Sequence, residues 1–261
     1  MTATLDHVDT LLEFPDVHPY KKWWGTHWRL VELADLGIAI PPDRLQRGIE
    51  QEVAWLTSTV GDPCMVDGLS RHHASMEGNA VYAFSRLGFA NHPSTRRLAE
   101  ALIDWQWPDG GWNCDRRRTA HRSSFHESVT PALGLAAYAR QTGDQATLAA
   151  ADRTAELLLR HRLLRSNRTG EPIHPSWTKP HYPPYWHYDL LQGLRLLHAV
   201  DRLDDPRASD ALDLLEQSRR SDGTFSGPQW ASKTQRAVLD RDAYRQVLTR
   251  RADEVLKASG R

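Results

Sequence analysis

Four stops, Gly37, Gly88, Gly143 and Asp204, fall 51, 55 and 61 residues apart, each between two stretches of helical spacing. A chain punctuated this way is committed to repeated helix pairs, because one pair cannot bury its own apolar face without its neighbours. The first pair is expected from about Gly25 to Leu36, then through Leu45, Ile49, Val53 and Leu56, which form one stripe. A short helix over residues 4–13 precedes it. Later rounds read as His72 to Leu87 and Pro93 to Trp105, Ser124 to Thr142 and Asp144 to Arg162, and Tyr185 to Leu203 and Pro206 to Arg219. A last helix is expected from Asp242 to Ala258. Pro131 lies inside the third round's first segment, where it should kink the helix or delay its start.

Strand patterns are almost absent. The first segment of each pair is the less charged one, which suits an inner ring with the second helices outside. The expected fold is therefore all-α, an α/α toroid of about five helix pairs, formed by residues 1–261 as a single domain.

The 33 basic and 33 acidic residues cancel, leaving no overall electrostatic footprint for nucleic acid. No apolar run is long enough to span a bilayer, so integral membrane contact is not expected. Two cysteines, Cys64 and Cys114, make no disulfide framework, and a cytoplasmic protein is the expectation. Nothing in the sequence sets an oligomeric state.

Between the second and third rounds lies Trp105-Gln106-Trp107-Pro108-Asp109-Gly110-Gly111-Trp112-Asn113-Cys114-Asp115, with a weaker echo from Glu216 to Phe225. Trp105-Gln106 followed by Asp109-Gly110-Gly111-Trp112 resembles the QW motif of squalene and oxidosqualene cyclases, and the β subunits of protein prenyltransferases carry a similar turn. The resemblance implies the α/α toroid those families share, over nearly the whole chain. It does not extend to a squalene cyclase's acid motif. The nearest string to Asp-x-Asp-Asp is Asp201-Arg202-Leu203-Asp204-Asp205, with the wrong spacing and at an inter-helix turn.

Counting 17 residues back from each stop reaches Tyr20, Arg71 (followed by His72 and His73), His126 and His187. In a toroid these inner-helix starts converge at one mouth, together with the loops Asn113-Cys114-Asp115 and His181 to Tyr185. A packed core needs no such polar collection, whereas a pocket does. His126 with Glu127 and His187 with Asp189, supported by Asp115, suit acid/base work, since a carboxylate fixes an imidazole's tautomer. His72, His73, Trp24, Tyr182, Tyr185, Trp186, Tyr188 and Arg117 are the expected substrate-lining residues. Arg116, Arg117, Arg118 and Arg122 form a basic cluster that reads as a solvated loop or an anion site. The Pro-rich stretch Glu171 to Tyr185 reads as a partial lid. The prenyltransferase resemblance implies a zinc alternative, with His126, His187 and Cys114 or Asp115 as ligands.

The expected function is an enzyme acting on a small or medium organic substrate by His/carboxylate chemistry, in a cyclisation, isomerisation or elimination. A zinc-dependent transferase, a carbohydrate-active barrel and a non-catalytic binding toroid are the alternatives. An apolar cavity holding His126 and His187 favours the first, a wide acidic groove the carbohydrate reading, and a filled centre the binding reading.

Overall fold

The computed structural model describes residues 2–59, 64–230 and 238–261. Among them are ten α-helices: α1 (Thr2–Leu12), α2 (Thr26–Leu36), α3 (Pro42–Thr59), α4 (Ala74–Arg86), α5 (Pro93–Trp105), α6 (Phe125–Thr142), α7 (Gln145–Arg160), α8 (Leu190–Ala199), α9 (Ser209–Gln217) and α10 (Arg241–Ala258). A two-stranded antiparallel hairpin, β1 (Met65–Val66) with β2 (Leu69–Ser70), precedes α4.

The expected stops are real backbone events. Gly37, Gly88 and Gly143 have φ of 66°, 92° and 76°, the left-handed conformation that glycine adopts without a Cβ penalty. The fourth round differs. α8 begins only at Leu190 and ends at Ala199, and its left-handed residue is Asp201 (φ 55°), not Asp204. Asp189 sets that start, its carboxylate accepting the Gln192 N–H at 3.1 Å, as Ser124 and Asp144 cap α6 and α7.

α2 is buried along its whole length, and α4, α6 and α8 are buried through most of theirs. α5, α7 and α9 bury one face only. This is the two-tier burial expected of the less charged and more charged helices. α2 packs on α4, α4 on α6, α6 on α8 and α8 on α10, while α3, α5, α7 and α9 each cover their own partner. α10 also meets α2: Arg251 donates to Asp35 and Tyr244 faces Glu32.

Pro131 neither delays nor ends α6, which runs straight through it. At this point α6 lies against Gly78 of α4, where a Cβ would lie 2.3 Å from the Pro131 nitrogen. Gly134 mirrors it, its Cβ position 2.5 Å from the Gly78 oxygen, so α4 and α6 approach backbone to backbone.

The Trp105–Trp112 turn stitches three helices. Gln106 donates to the carbonyls of Gly110 and Ala150 at 3.0 and 2.9 Å, Trp112 Nε1 reaches Leu102 O at 2.9 Å, and the Trp112 N–H meets Ser128 Oγ at 2.9 Å. The echo repeats the last contact. Phe225, fully buried, donates its N–H to Thr249 Oγ1 of α10 at 2.9 Å.

Glu32 makes one fold-level prediction. Burial is the main cause that lifts its carboxyl to about 8, with nearby Asp35 adding to it and Tyr244 and Arg29 opposing. A carboxyl whose folded pKa exceeds its unfolded one binds its proton more tightly in the native state, so stability falls as pH climbs from the ordinary carboxylate range to about 8. Glu32→Gln is expected to remove that slope and to melt higher than wild type at alkaline pH, with the two converging in mild acid. Parallel melting curves at every pH would refute it.

Candidate functional site

The starts of α4 and α6 meet the loops that precede α2, α6 and α8. His73, just before α4, turns its Nδ1 to Glu127 Oε1 of α6 at 3.3 Å, and the Cys114 sulfur also accepts from the His73 ring. The ligating atoms of His73, Cys114 and Glu127 lie within 4.8 Å of one another, the one such His/Cys/carboxylate group among the described residues. Cys114 arrives there because Gly111 brings the turn against Ser128, leaving no room for a Cβ.

Glu127 is buried, and burial is the largest influence on its carboxyl, in the upward direction. Hydrogen bonds from His73 and from the Ser75 N–H (3.2 Å to Oε2) outweigh it and hold the group below its usual value, as a carboxylate. Cys114 and Glu127 together raise the His73 imidazole to about 10. The His73 side chain is 63% exposed, so one side of the cluster faces solvent.

The second part is aromatic. His187 stacks between Trp186 (centroids 3.9 Å apart) and Trp230 (4.3 Å), and Trp230 stacks in turn on His181 at 4.2 Å. Trp23 lies flat on Tyr185 at 4.1 Å. His126 stands edge-on to His187, their centroids 5.9 Å apart. Tyr188 donates its backbone N–H to His126 Nδ1 at 2.8 Å, so the neutral His126 ring carries its proton on Nε2. His187 Nδ1 faces the Pro184 carbonyl at 3.3 Å, which only accepts, so its proton is on Nδ1 and Nε2 keeps a lone pair. One ring thus offers an N–H and the other an acceptor. Burial, with His126 adding to it, lowers His187 to about 3, and burial lowers His126 as well. Both imidazoles are neutral near pH 7, and His187 is a weak base, suited to holding a hydroxyl or carbonyl more than to abstracting a proton.

The expected partners are right in kind and different in pairing. Glu127 and Asp189 do hold imidazoles, but those of His73 (3.3 Å) and His181 (3.1 Å); His126 and Glu127, successive on α6, diverge by about 100°, and Asp189 is instead taken up as the cap of α8. The metal set read from the sequence, His126, His187 and Cys114, is not the one assembled; Cys114 meets His73 and Glu127 instead. Asp115 pairs with Arg117 on the surface at 2.5 Å, leaving neither residue turned to the histidines. His72 binds Glu77 at 2.8 Å over the Trp105 ring. Tyr188 is core, its hydroxyl on Leu163 O at 2.6 Å, and Tyr182 packs on Tyr244. Trp24 lines a separate cleft with Phe14, Arg29 and Arg44. Of the expected lining set, Tyr185 and Trp186 join His126 and His187, and His73 joins Cys114.

His181, Trp230 and Trp177, which stands edge-on to His126 with centroids 5.5 Å apart, are site residues beyond those the sequence points to. His181 carried a signal, as an imidazole in an aromatic, proline-rich entry loop. Trp230 carried none.

The interior lined by Asp35, Asn79, Tyr82, Tyr185, Gln192 and Arg195, between α2, α4, α6 and α8, leaves only ≈ 20 Å³. That is room for about one water molecule. The chain matches no protein-family model, no curated protein and no solved structure. No helix among the described residues is long and apolar enough to cross a membrane.

Proposed function

We propose that the protein is a metal-dependent enzyme on a closed α/α toroid of the cyclase/prenyltransferase type, with zinc held by His73, Cys114 and Glu127. The toroid is supported by the neighbour sequence from α2 to α10 and back to α2, and by the QW-like turn. The metal reading is carried by one observation: three different donors from three chain segments gather within 4.8 Å. Nitrogen, thiolate and carboxylate suit zinc, and three protein ligands leave a fourth position, the pattern of catalytic sites. The Ser75 N–H on Glu127 is the kind of supporting bond that orients a ligand.

Bound zinc would supply Lewis acidity toward a substrate oxygen. The chain's own residues do the rest. His126 donates and His187 accepts at a polar group of a small organic substrate, and Trp186 covers its apolar part. The reaction class is an isomerisation, elimination or cyclisation. A reduced Cys114 suits a cytoplasmic setting.

Zinc-supplemented protein should retain stoichiometric metal by elemental analysis, and His73→Ala or Cys114→Ser should each weaken it at least about a hundredfold. A cobalt-substituted sample should show a thiolate charge-transfer band that Cys114→Ser removes, and its visible bands should move on adding azide. Supplemented wild-type protein without metal ends the reading. The filled centre favours a second one, a non-catalytic binding toroid with a structural metal, and an azide-insensitive cobalt spectrum would select it.

A further inference from the structure

The loop that leaves α7 is built to display arginines. Leu163 and Leu164 are fully buried and anchor it, while Arg162 and Leu163 take successive left-handed conformations (φ 44° and 65°) that leave Arg162 exposed. Such backbone is unfavourable for residues with a Cβ and persists only where packing enforces it.

Two adjoining clefts flank this loop and share Ser166 and Asn167. One, of ≈ 820 Å³, is lined by Arg122, His161, Arg168, Pro172 and Ile173. The other, of ≈ 590 Å³, is lined by Arg160, Arg162, Arg165 and Asp210. Asp210, the one carboxylate among these residues, is taken up by a two-point pair with Arg165 at 2.6 and 2.9 Å. Glu171 also acts on Arg165. Arg160 reaches only the Asp109 carbonyl, at 2.6 Å. The guanidinium groups of Arg122, Arg162 and Arg168 have no ion pair or hydrogen bond among the described residues. The neighbouring Arg117 and Arg118, by contrast, are neutralised by Asp115 and Asp67.

A zero-net-charge chain has thus concentrated uncompensated guanidinium charge in one concavity. Guanidinium forks match phosphate oxygens two at a time, in a geometry lysine cannot reproduce. Ile173, 42% exposed and one of two large apolar side chains so exposed among the described residues, forms an apolar wall with Pro172. We propose that these clefts bind a phosphorylated small organic molecule, its phosphates on Arg122, Arg162 and Arg168 and its organic part against Pro172 and Ile173. The volumes fall in the range of small-molecule pockets, about 300–1,000 Å³. A nucleic-acid track needs an extended basic stripe and stacking rings, and His161 is the only ring in either lining. The site does not depend on the metal reading, although its Arg122 wall is tied to the Cys114 loop by Asn113 Nδ2 on Arg122 O at 2.8 Å.

The test is calorimetric titration of the full chain at low salt with inorganic pyrophosphate and with hexyl diphosphate. Both should bind saturably, hexyl diphosphate more tightly, with affinity falling as salt rises. Arg162→Glu combined with Arg168→Glu should weaken binding by at least about tenfold with an unchanged circular dichroism spectrum, and Arg168→Gln alone should give a smaller loss. Arg97→Glu, on the exposed face of α5, should change nothing. Absence of saturable binding, or equal affinity in the double variant, overturns the proposal. Single-stranded RNA binding more tightly than either diphosphate also overturns it, in favour of a macromolecular polyanion surface.

Discussion

Asp35→Ala is expected to lower unfolding free energy by about 3–5 kcal/mol, the range for removing one partner of a buried ion pair. Asp35 lies on α2 at 1% side-chain exposure and accepts from Arg195 of α8 at 2.9 Å, Arg251 of α10 at 2.8 Å and Tyr82 of α4 at 2.7 Å. Burial alone would push its carboxyl up, yet the two guanidinium charges and the Tyr82 hydrogen bond outweigh it and hold the group well below the carboxylate range. Alanine leaves Arg195 and Arg251, 10% and 8% exposed, repelling each other, with Glu254, 3.0 Å from Arg251, as the remaining carboxylate. Urea unfolding measures the cost. Should Asp35→Ala prove insoluble, the triple variant Asp35→Leu, Arg195→Met, Arg251→Met should recover most of the stability, because a buried ionic cluster exchanged whole for apolar groups is often neutral. A loss below about 1 kcal/mol in Asp35→Ala would show the node to be hydrated and unimportant.

Gly78→Ala is the second large effect, and two opposed magnitudes decide its sign. In a helix interior alanine gains up to about 1 kcal/mol over glycine. Here the new methyl would meet backbone, 2.3 Å from Pro131 N and 2.6 Å from Pro131 Cα, neither able to rotate away. Forcing α4 from α6 disturbs both buried helices, and overpacking of this kind costs about 1–3 kcal/mol or more. We expect the clash to win, with a net loss near the upper end of that range. Gly143→Ala is the control. Its φ is 76° but nothing lies within 4 Å of the added Cβ, so it should cost only the left-handed strain, about 1–2 kcal/mol. A Gly78→Ala protein as stable as wild type would refute the close approach of α4 and α6.

Much of the fold was legible because it is decided locally. Gly37, Gly88 and Gly143 end or follow helices on account of a missing Cβ, and the greater burial of α4, α6 and α8 than of α5, α7 and α9 follows from where charge is absent. The fourth round was misjudged because the aromatic, proline-rich run before Leu190 has helical spacing without helical backbone: Tyr185 has φ of 55°, and the first capping carboxylate is Asp189. Pro131 signals a kink or delay by local rules, yet α6 continues through it, and its close approach to Gly78 involves another helix that local rules do not see.

The candidate site divides along the same line. Its membership was partly visible, in histidines recurring at helix starts and in Cys114 placed by the turn. Its pairing was not. His126 and Glu127 are adjacent in sequence, yet Glu127 meets His73 and His126 meets the Tyr188 backbone. Sequence alone determined most of the helical elements and the three glycine stops, since these depend on contacts within a few residues. Tertiary structure alone decided which donor faces which acceptor, that Cys114 joins His73 and Glu127, and that the interior is filled. Those outcomes depend on side-chain direction, and direction is set only when one helix is packed against another.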